Sequence, residues 1–420
     1  MERFDAIVIG GGPAGLMAAG RAAELGERVL LVEKNAALGE KLLLAGRRRC
    51  NMTNALPDMD AFLSRYGERG GEFLRPAFAR FGPRETVKFF NRLGIETTTE
   101  RGGRVFPDVS PANAGAQKVL GSLLGYCKRG RVRVLRSSPV RALKVKNGRA
   151  ERLVTAIEEL FAGRYILATG GKSYPKTGST GDGYRFAAQA GHTIVTPTPA
   201  LVPVKTKEMW VKLAHGFNLR NVRLSVVLNG EKIGERFGEM EFTNFGVSGP
   251  IVMDLSPSVP DWMTRGAVSL ILDLKPALSE EKLIARIERD LESHSDKDFS
   301  NALTDLLPRA LIPLILALSD IPPDRPAELV TPEERKGLAF LLKNIPLGVN
   351  GLWSFYHAIV TRGGVRLGEV DPVTMRSKLC ENVYFAGELL DLDGPTGGFN
   401  LQSCWSTGRA AGEGGVQNPV

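Results

Sequence analysis

The hydrophobic positions of this chain change their period three times. An apolar run from Phe4 to Ile9 meets glycines at Gly10, Gly12 and Gly15; helical spacing follows to about Leu25, and a second apolar run fills Val29 to Val32. Short continuous apolar runs bounded by glycine predict strands buried on both faces, so this order predicts a βαβ unit with parallel strands. From about Pro197 the pattern alternates, as in "LVPVKTKE", "LRNVRLSVVLNGEKIGERFGEMEF" and "AVSLILDL", with Asn229-Gly230 as a hairpin turn. After Pro276 helical periodicity returns. Ser279 opens one helix as its N-cap, and Thr331-Pro332-Glu333-Glu334 opens another as a capping box with proline in the first turn. The final change comes at Val383 to Ala386, an apolar strand followed by Gly387-Glu388, a turn, and a helix from about Asn400.

This order predicts an α/β, Rossmann-like cofactor domain that the chain leaves and re-enters. Its expected bounds are 1–195 plus 346–420, with a β-rich insertion over 196–275 and a helical one over 276–345. Insertions of this kind shape substrate clefts, because ligands favour domain interfaces.

Gly10-x-Gly12-x-x-Gly15 sits where a strand turns into a helix, the context that gives this spacing meaning. Gly10 permits the tight turn, Gly12 lets a pyrophosphate approach the backbone, and Gly15 lets the helix pack closely on the strand. Pro13 and Ala14 begin that helix, whose free N–H groups and dipole favour phosphate. Glu33 ends the second strand near the spacing expected of an acid that accepts ribose hydroxyls, with Lys34 beside it. A carboxylate there favours FAD or NAD over NADP.

Two distant segments select FAD. In "RYILATGGKSYPKTGSTGDGY" a second apolar strand opens onto Ala168, Thr169, Gly170 and Gly171, similar to the Ala-Thr-Gly turn that packs near the adenosine of FAD in flavoproteins. In the C-terminal segment, Gly387 and Glu388 follow a third strand, and Gly397, Gly398, Phe399 and Asn400 lead the closing helix. This segment resembles the C-terminal flavin motif in which a strand delivers an acid to the ribityl chain, and Glu388 would be that acid. The helix start is the candidate contact for the pyrimidine end of the isoalloxazine, where reduction places negative charge. "GSTGDG" begins well beyond its strand, so a second dinucleotide domain for NAD(P)H is not expected.

Composition narrows the compartment and chemistry. The chain has 420 residues, 43% hydrophobic and 24% charged, with a net charge of +9. Its apolar runs are short of the roughly 20 residues that span a membrane, which predicts a soluble, cytoplasmic protein without a signal peptide. The four cysteines and four histidines are scattered, so neither disulfide-reductase chemistry nor a metal site is expected. Basic clusters at Arg47 to Arg49 and Lys128 to Arg136 suit phosphates or an acidic partner, or a solvated basic surface.

"GEKLLLAGRRRCNMTN" (Gly39 to Asn54), "FTNFGVSGP" (Phe242 to Pro250), "TRGGV" (Thr361 to Val365) and "AGELLDLDGPTGGFNLQ" (Ala386 to Gln402) together resemble the bacterial BaiN-like, or aminoacetone-oxidase-like, FAD-binding flavoproteins. The resemblance spans nearly the whole chain. It implies a fold of the two-dinucleotide-binding-domain flavoprotein type with an inserted β-barrel-like subdomain and a helical subdomain. It also implies cofactor contacts at Lys41, Arg49, Cys50, Asn51 and Thr53. Members of the family are associated with reduction of enone double bonds in steroid-like acids, with amine oxidation, and with making dihydrouridine in large-subunit ribosomal RNA. The family pattern is glycine-rich before Arg-Cys-Asn, whereas this chain carries Arg47 and Arg48; loss of the left-handed freedom of glycine is the expected consequence.

These observations predict an FAD-dependent reductase, with NADH or NADPH as a transient donor and hydride delivered to an activated C=C bond. The substrate is a uridine of ribosomal RNA, or a small molecule in an enone reductase or amine oxidase. A flavin-binding protein without turnover is the remaining alternative. Cys50 is the candidate general acid, against a simple role lining the flavin. The sequence does not specify an oligomeric state.

Overall fold

A parallel sheet is built outward from the strand Arg3–Ile9, which pairs on one side with Val29–Val32 and on the other with Glu159–Leu167. Arg133–Leu135 extends one flank, and Val383–Phe385 adds in parallel to Glu159–Leu167 on the other. These relationships come from a computed structural model that describes residues 3–415. All four residues of Val29–Val32 are buried, as are Ile166 and Leu167. That burial explains why the strands read as unbroken apolar runs. An antiparallel pair, Ala142–Lys146 with Arg149–Val154, continues from the early part of Glu159–Leu167.

The helix Pro13–Glu24 lies on this sheet and against the closing helix Phe399–Glu413. Buried Arg164 ties the far end of the closing helix to the sheet. Its guanidinium donates to the Ala411 and Gly412 carbonyls at 2.6 and 2.8 Å and pairs with Glu27 at 2.6 Å. A cation at a helix C-terminus satisfies carbonyls that lack intrahelical donors and complements the dipole.

The chain folds as two compact units, Met1–Ala200 with Phe355–Val420, and Leu201–Ser354. The second unit contains a closed barrel in the order Val204–Thr206, Gly246–Ser248, Glu231–Thr243, Asn218–Leu228, Val268–Asp273, Ile345–Leu352. Leu224, Val226 and Leu228 alternate inward on one strand, and Leu270, Leu272, Leu347 and Val349 meet them in one core. Asn229 and Gly230 both take positive φ, 52° and 89°, in the turn that joins the two longest strands. Ser279 caps Glu280–Ser293, and Thr331 with Glu334 forms the capping box of Pro332–Lys343.

The boundaries differ from those expected at 195/196 and 345/346. Ile194–Ala200 stays with the first unit because it pairs with Val360–Val365, and Ile345–Leu352 belongs to the barrel because it closes it against Val204–Thr206 and Val268–Asp273. The helices of 276–345 share the barrel's apolar core, Leu283, Ile287, Leu338 and Leu342 among them. No helix among the described residues is long and apolar enough to cross a membrane.

Candidate functional site

Strand register brings the chemistry to one edge. Ile9 pairs with Val32 and with Leu167, and Leu167 pairs with Phe385. The next residues, Gly10, Glu33, Ala168 and Ala386, therefore leave the sheet side by side at its carboxyl edge, where open α/β sheets bind ligands.

At the first exit, Gly10 has φ +104°, and a Cβ on Gly15 would stand 1.9 Å from the Gly10 carbonyl oxygen. Strand and helix meet there with no room for a side chain. A Cβ on Gly12 would meet nothing within 4 Å, and no side chain caps the helix that Gly12 begins. An uncapped helix start facing open space, with Pro13 and Ala14 in its first turn, fits a diphosphate. Glu33 accepts from the Gly11 N–H at 2.7 Å and from the Asn35 N–H at 2.8 Å, which fixes the carboxylate beside the glycine turn. Lys34, expected at the cofactor, instead pairs with Asp182 at 2.7 Å and donates to Thr180 at 2.6 Å. At the third exit, Ala168 is buried, and the Thr169 hydroxyl is buried without a protein partner. Such an orphaned hydroxyl is one that a ligand group or an ordered water would satisfy. These features fit FAD.

A polar node joins three distant segments. Glu388 accepts from Lys41 Nζ at 2.5 Å, from the Ser173 hydroxyl at 2.6 Å and from the Thr361 N–H at 2.8 Å. Lys41 also donates to Ser173 at 2.6 Å. A Cβ on Gly171 would stand 2.4 Å from the Thr361 hydroxyl oxygen, so Gly170-Gly171 let this chain segment pass close to the node. Ser173 and Thr361 carry no signature of their own in the sequence, although both lie in stretches whose glycines mark the site.

The segment Cys50–Asn54 is stitched to the start of the closing helix. Thr53 Oγ1 donates to Gln402 at 2.6 Å, Asn54 donates to the Gly397 carbonyl at 3.0 Å, and Trp405 Nε1 donates to the Met52 carbonyl at 2.9 Å. With its amide oriented to satisfy both sides, Asn51 accepts from the Gly398 N–H at 3.0 Å. Gly398, at φ +101°, begins the closing helix without a side-chain cap, and a Cβ there would stand 2.3 Å from the Thr53 carbonyl oxygen. Asn400 is engaged locally, accepting from the Gly394 N–H at 2.9 Å and donating to its carbonyl at 2.7 Å. The Phe399 ring lies 4.7 Å from Phe62 in a buried aromatic cluster, and its carbonyl accepts from Tyr66. These two side chains thus hold the turn, while the backbone of Gly397, Gly398 and Phe399 presents the helix start.

One expectation around "GRRRC" changes. Arg47 and Arg48 adopt φ 54° and 71°, so the loop keeps left-handed backbone despite losing glycine, at a cost of about 1 kcal/mol or more per residue. Arg49, expected at the cofactor, pairs with Glu100 and lies 4.2 Å over the Phe106 ring. Cys50 is fully buried, and burial pushes its thiol up to about 12. Asp393, missed in the sequence, follows Glu388 in the chain and precedes the Gly397-Gly398 turn. Burial raises its carboxyl to about 6, Arg362 opposes that rise, and Asp391 and Glu388 add to it.

A second polar chain resembles a hydrolytic triad. His192 Nε2 lies 2.6 Å from the Ser377 hydroxyl, and its Nδ1 lies 3.3 Å from Glu369. The Ser377 oxygen also accepts from the Leu379 and Cys380 N–H groups at 3.0 and 2.8 Å. It is a buried turn cap whose lone pairs are taken, not a nucleophile. Among the described residues no group of three or more His, Cys, Asp or Glu could hold a metal ion.

Comparisons with known proteins agree with this architecture. The model of the HI0933-like protein Rossmann domain matches residues 4–414. The 3-dehydro-bile acid delta(4,6)-reductase of Clostridium scindens is 33% identical over 98% of this chain and 99% of its own. The ribosomal RNA dihydrouridine synthase of Escherichia coli is 31% identical over 98% of each chain. Among solved structures, the 3-ketosteroid delta1-dehydrogenase of Sterolibacterium denitrificans shares the fold, with TM-score 0.53 and 13% identity over 98% of this chain and 99% of that one.

Proposed function

The chain belongs to the HI0933-like Rossmann-domain family and is an FAD-dependent oxidoreductase, and from that premise we propose that it uses NADH or NADPH to reduce a uridine of large-subunit ribosomal RNA to dihydrouridine. The observation that carries this is the full-length similarity to two proteins whose names both describe hydrogen added across a C=C bond, one of them in ribosomal RNA. The net charge of +9 supports an RNA partner, since phosphate contacts supply much of the affinity in such complexes. The nearly equal identity to the bile acid reductase favours a small-molecule enone as the second reading. The proposed compartment is the cytoplasm.

Bound FAD supplies hydride transfer. The residues would divide the remaining work as follows. The uncapped helix start at Gly12 binds the diphosphate, and Glu33, held by two backbone N–H groups, keeps lone pairs for ribose hydroxyls. Lys41, Ser173 and Thr361 fix the Glu388 carboxylate, which would accept from the ribityl hydroxyls. The positive end of the closing helix, its first turn fixed by Asn51 and Thr53, would hold the pyrimidine side of the flavin. We place the proton-holding role on Asp393, which lies between Glu388 and that turn in the chain and senses the Glu388 charge. Its carboxyl, raised to about 6, gives up a proton near neutral pH, whereas Cys50 would have to become a buried thiolate. With one dinucleotide fingerprint in the chain, the nicotinamide is a transient visitor.

Mass analysis of ribosomal RNA from a strain lacking this protein tests the reading. Loss of dihydrouridine from the large-subunit RNA is expected, with restoration by the wild-type copy. Unchanged dihydrouridine would reject RNA as the substrate.

A further inference from the structure

The barrel carries an aromatic pair that its core does not use. Phe245 lies in the turn between Glu231–Thr243 and Gly246–Ser248, is 52% exposed, and has its ring 4.7 Å from that of Trp353 at 54°. Both rings stand on fixed backbone. The Phe245 N–H donates to Thr243 Oγ1 at 3.3 Å, its carbonyl accepts from the Thr206 N–H at 3.0 Å, and the Trp353 N–H donates to the Pro203 carbonyl at 3.1 Å. Gly246 follows at φ +151°, where a Cβ would stand 2.2 Å from the Val204 carbonyl oxygen, so the turn is pressed onto the neighbouring strand.

That neighbouring strand supplies positive charge. Lys205 is exposed and lies opposite Gly246 on one side and Gly351 on the other, so no side chain flanks it across either strand pair. Lys207 and Lys212 are exposed just beyond it. Among the described residues none of these three lysines forms an ion pair, while the nearby Glu208 carboxylate is turned to the Gly348 N–H at 2.9 Å. Exposed lysines without acid partners beside a rigid aromatic pair call for an anion that carries flat rings.

We propose that this end of the barrel binds unpaired RNA, with a base stacked on the Phe245–Trp353 pair and adjoining phosphates on Lys205, Lys207 and Lys212. The assignment rests on the RNA reading above and gives that substrate a docking surface. Stacking is tolerant of base identity because every base presents a π face, and the lysines track the backbone. Specificity for one uridine then lies at the flavin edge rather than in the barrel. Stacking on the exposed Phe245 needs no rearrangement of the barrel core, which buries Phe242 and Val247 on either side of the turn.

The test uses the full-length flavin-bound protein and a fluorescently labelled oligouridylate about ten nucleotides long, read by anisotropy. Phe245→Ala and Trp353→Ala are each expected to weaken binding by about fivefold or more, and Phe245→Tyr to retain it. Lys205→Gln with Lys207→Gln should lower the slope of log affinity against log salt by about 1.4, at roughly 0.7 per phosphate contact. Phe237, 61% exposed on the hairpin strand Glu231–Thr243, is the comparison: Phe237→Ala should bind as wild type. Wild-type affinity in Phe245→Ala, an unchanged salt slope in the lysine variant, or an equal loss in Phe237→Ala would each overturn the assignment. Its failure is separable from failure of the RNA reading. If a strain lacking the protein loses dihydrouridine and a Phe245→Ala copy restores it as fully as wild type, with oligouridylate affinity intact, the docking surface is wrong and the substrate stands.

Discussion

Lys41 Nζ and Glu388 Oε2 stand 2.5 Å apart although 347 residues separate them. Their side chains are 22% and 15% exposed, so the pair is sheltered enough for its Coulomb energy to exceed that of a surface bridge. It joins the loop after the first βαβ unit to the turn Gly387–Leu389 that follows the strand Val383–Phe385. Lys41→Met and Glu388→Gln should each lower flavin affinity at least tenfold. The double variant should lose less than the sum, with a coupling of about 1–3 kcal/mol from titrations of apoprotein with FAD. Strict additivity would show that the two side chains do not act together.

The Gly398 turn makes a sharper steric prediction. A Cβ at this position meets the Thr53 carbonyl at 2.3 Å and also forces an L-residue into φ +101°. Gly398→Val should yield protein with little bound flavin. Its barrel unit should keep its resistance to limited proteolysis, because the barrel has its own core, Leu224, Leu270 and Leu347 included. Full flavin occupancy in Gly398→Val would contradict the stitching of Cys50–Asn54 to the closing helix.

Cys50 is predicted to be dispensable for chemistry. Burial pushes its thiol up to about 12, so it neither ionises near neutral pH nor cycles a proton readily. Cys50→Ala should keep kcat within about twofold of wild type once flavin content is matched, since removing a positioned general acid typically costs a hundredfold or more. A loss of that size with flavin retained would return the acid role to Cys50.

Asp393 predicts a pH dependence with a definite sign. Burial raises its carboxyl from 3.8 to about 6, so between those values the folded chain holds a proton that the unfolded chain releases. The stabilisation is fully present below the unfolded value and is lost as pH rises through the folded one. Thermal unfolding of the flavin-bound protein should therefore show wild type losing stability relative to Asp393→Asn as pH rises from 3.8 to about 6. If this carboxyl also holds the substrate proton, turnover should fall above the same pH in wild type, and Asp393→Asn should lose both that limb and most of its kcat. An unshifted pH profile in the variant would assign Asp393 a structural role only.

The elements were legible in the sequence wherever one face or both faces are buried. Phe4 to Ile9 and Val29 to Val32 announced strands because the sheet covers them on both sides, and Ser279 and Thr331 announced helices because caps are local chemistry. Glycine spacing likewise located the edge where the cofactor belongs. What spacing does not contain is partner choice across hundreds of residues. Lys34 and Arg49 were expected at the cofactor, but Asp182 and Glu100 engage them. Ser173, Thr361 and Gln402 escaped notice because each acts only through a residue far away in the chain. Arg47 and Arg48 show a different limit: side-chain identity argued against left-handed backbone, and the surrounding turn imposes it anyway.

Reduction of uridine in RNA by this FAD-dependent chain is open to direct test in one half-reaction. The purified protein is reduced anaerobically with NADH or NADPH until its flavin absorbance bleaches, then mixed with large-subunit ribosomal RNA that lacks dihydrouridine. Absorbance is expected to return with the RNA, and dihydrouridine to appear in equal amount. Flavin that stays reduced with this RNA but reoxidises with a small enone, with no dihydrouridine formed, would contradict it.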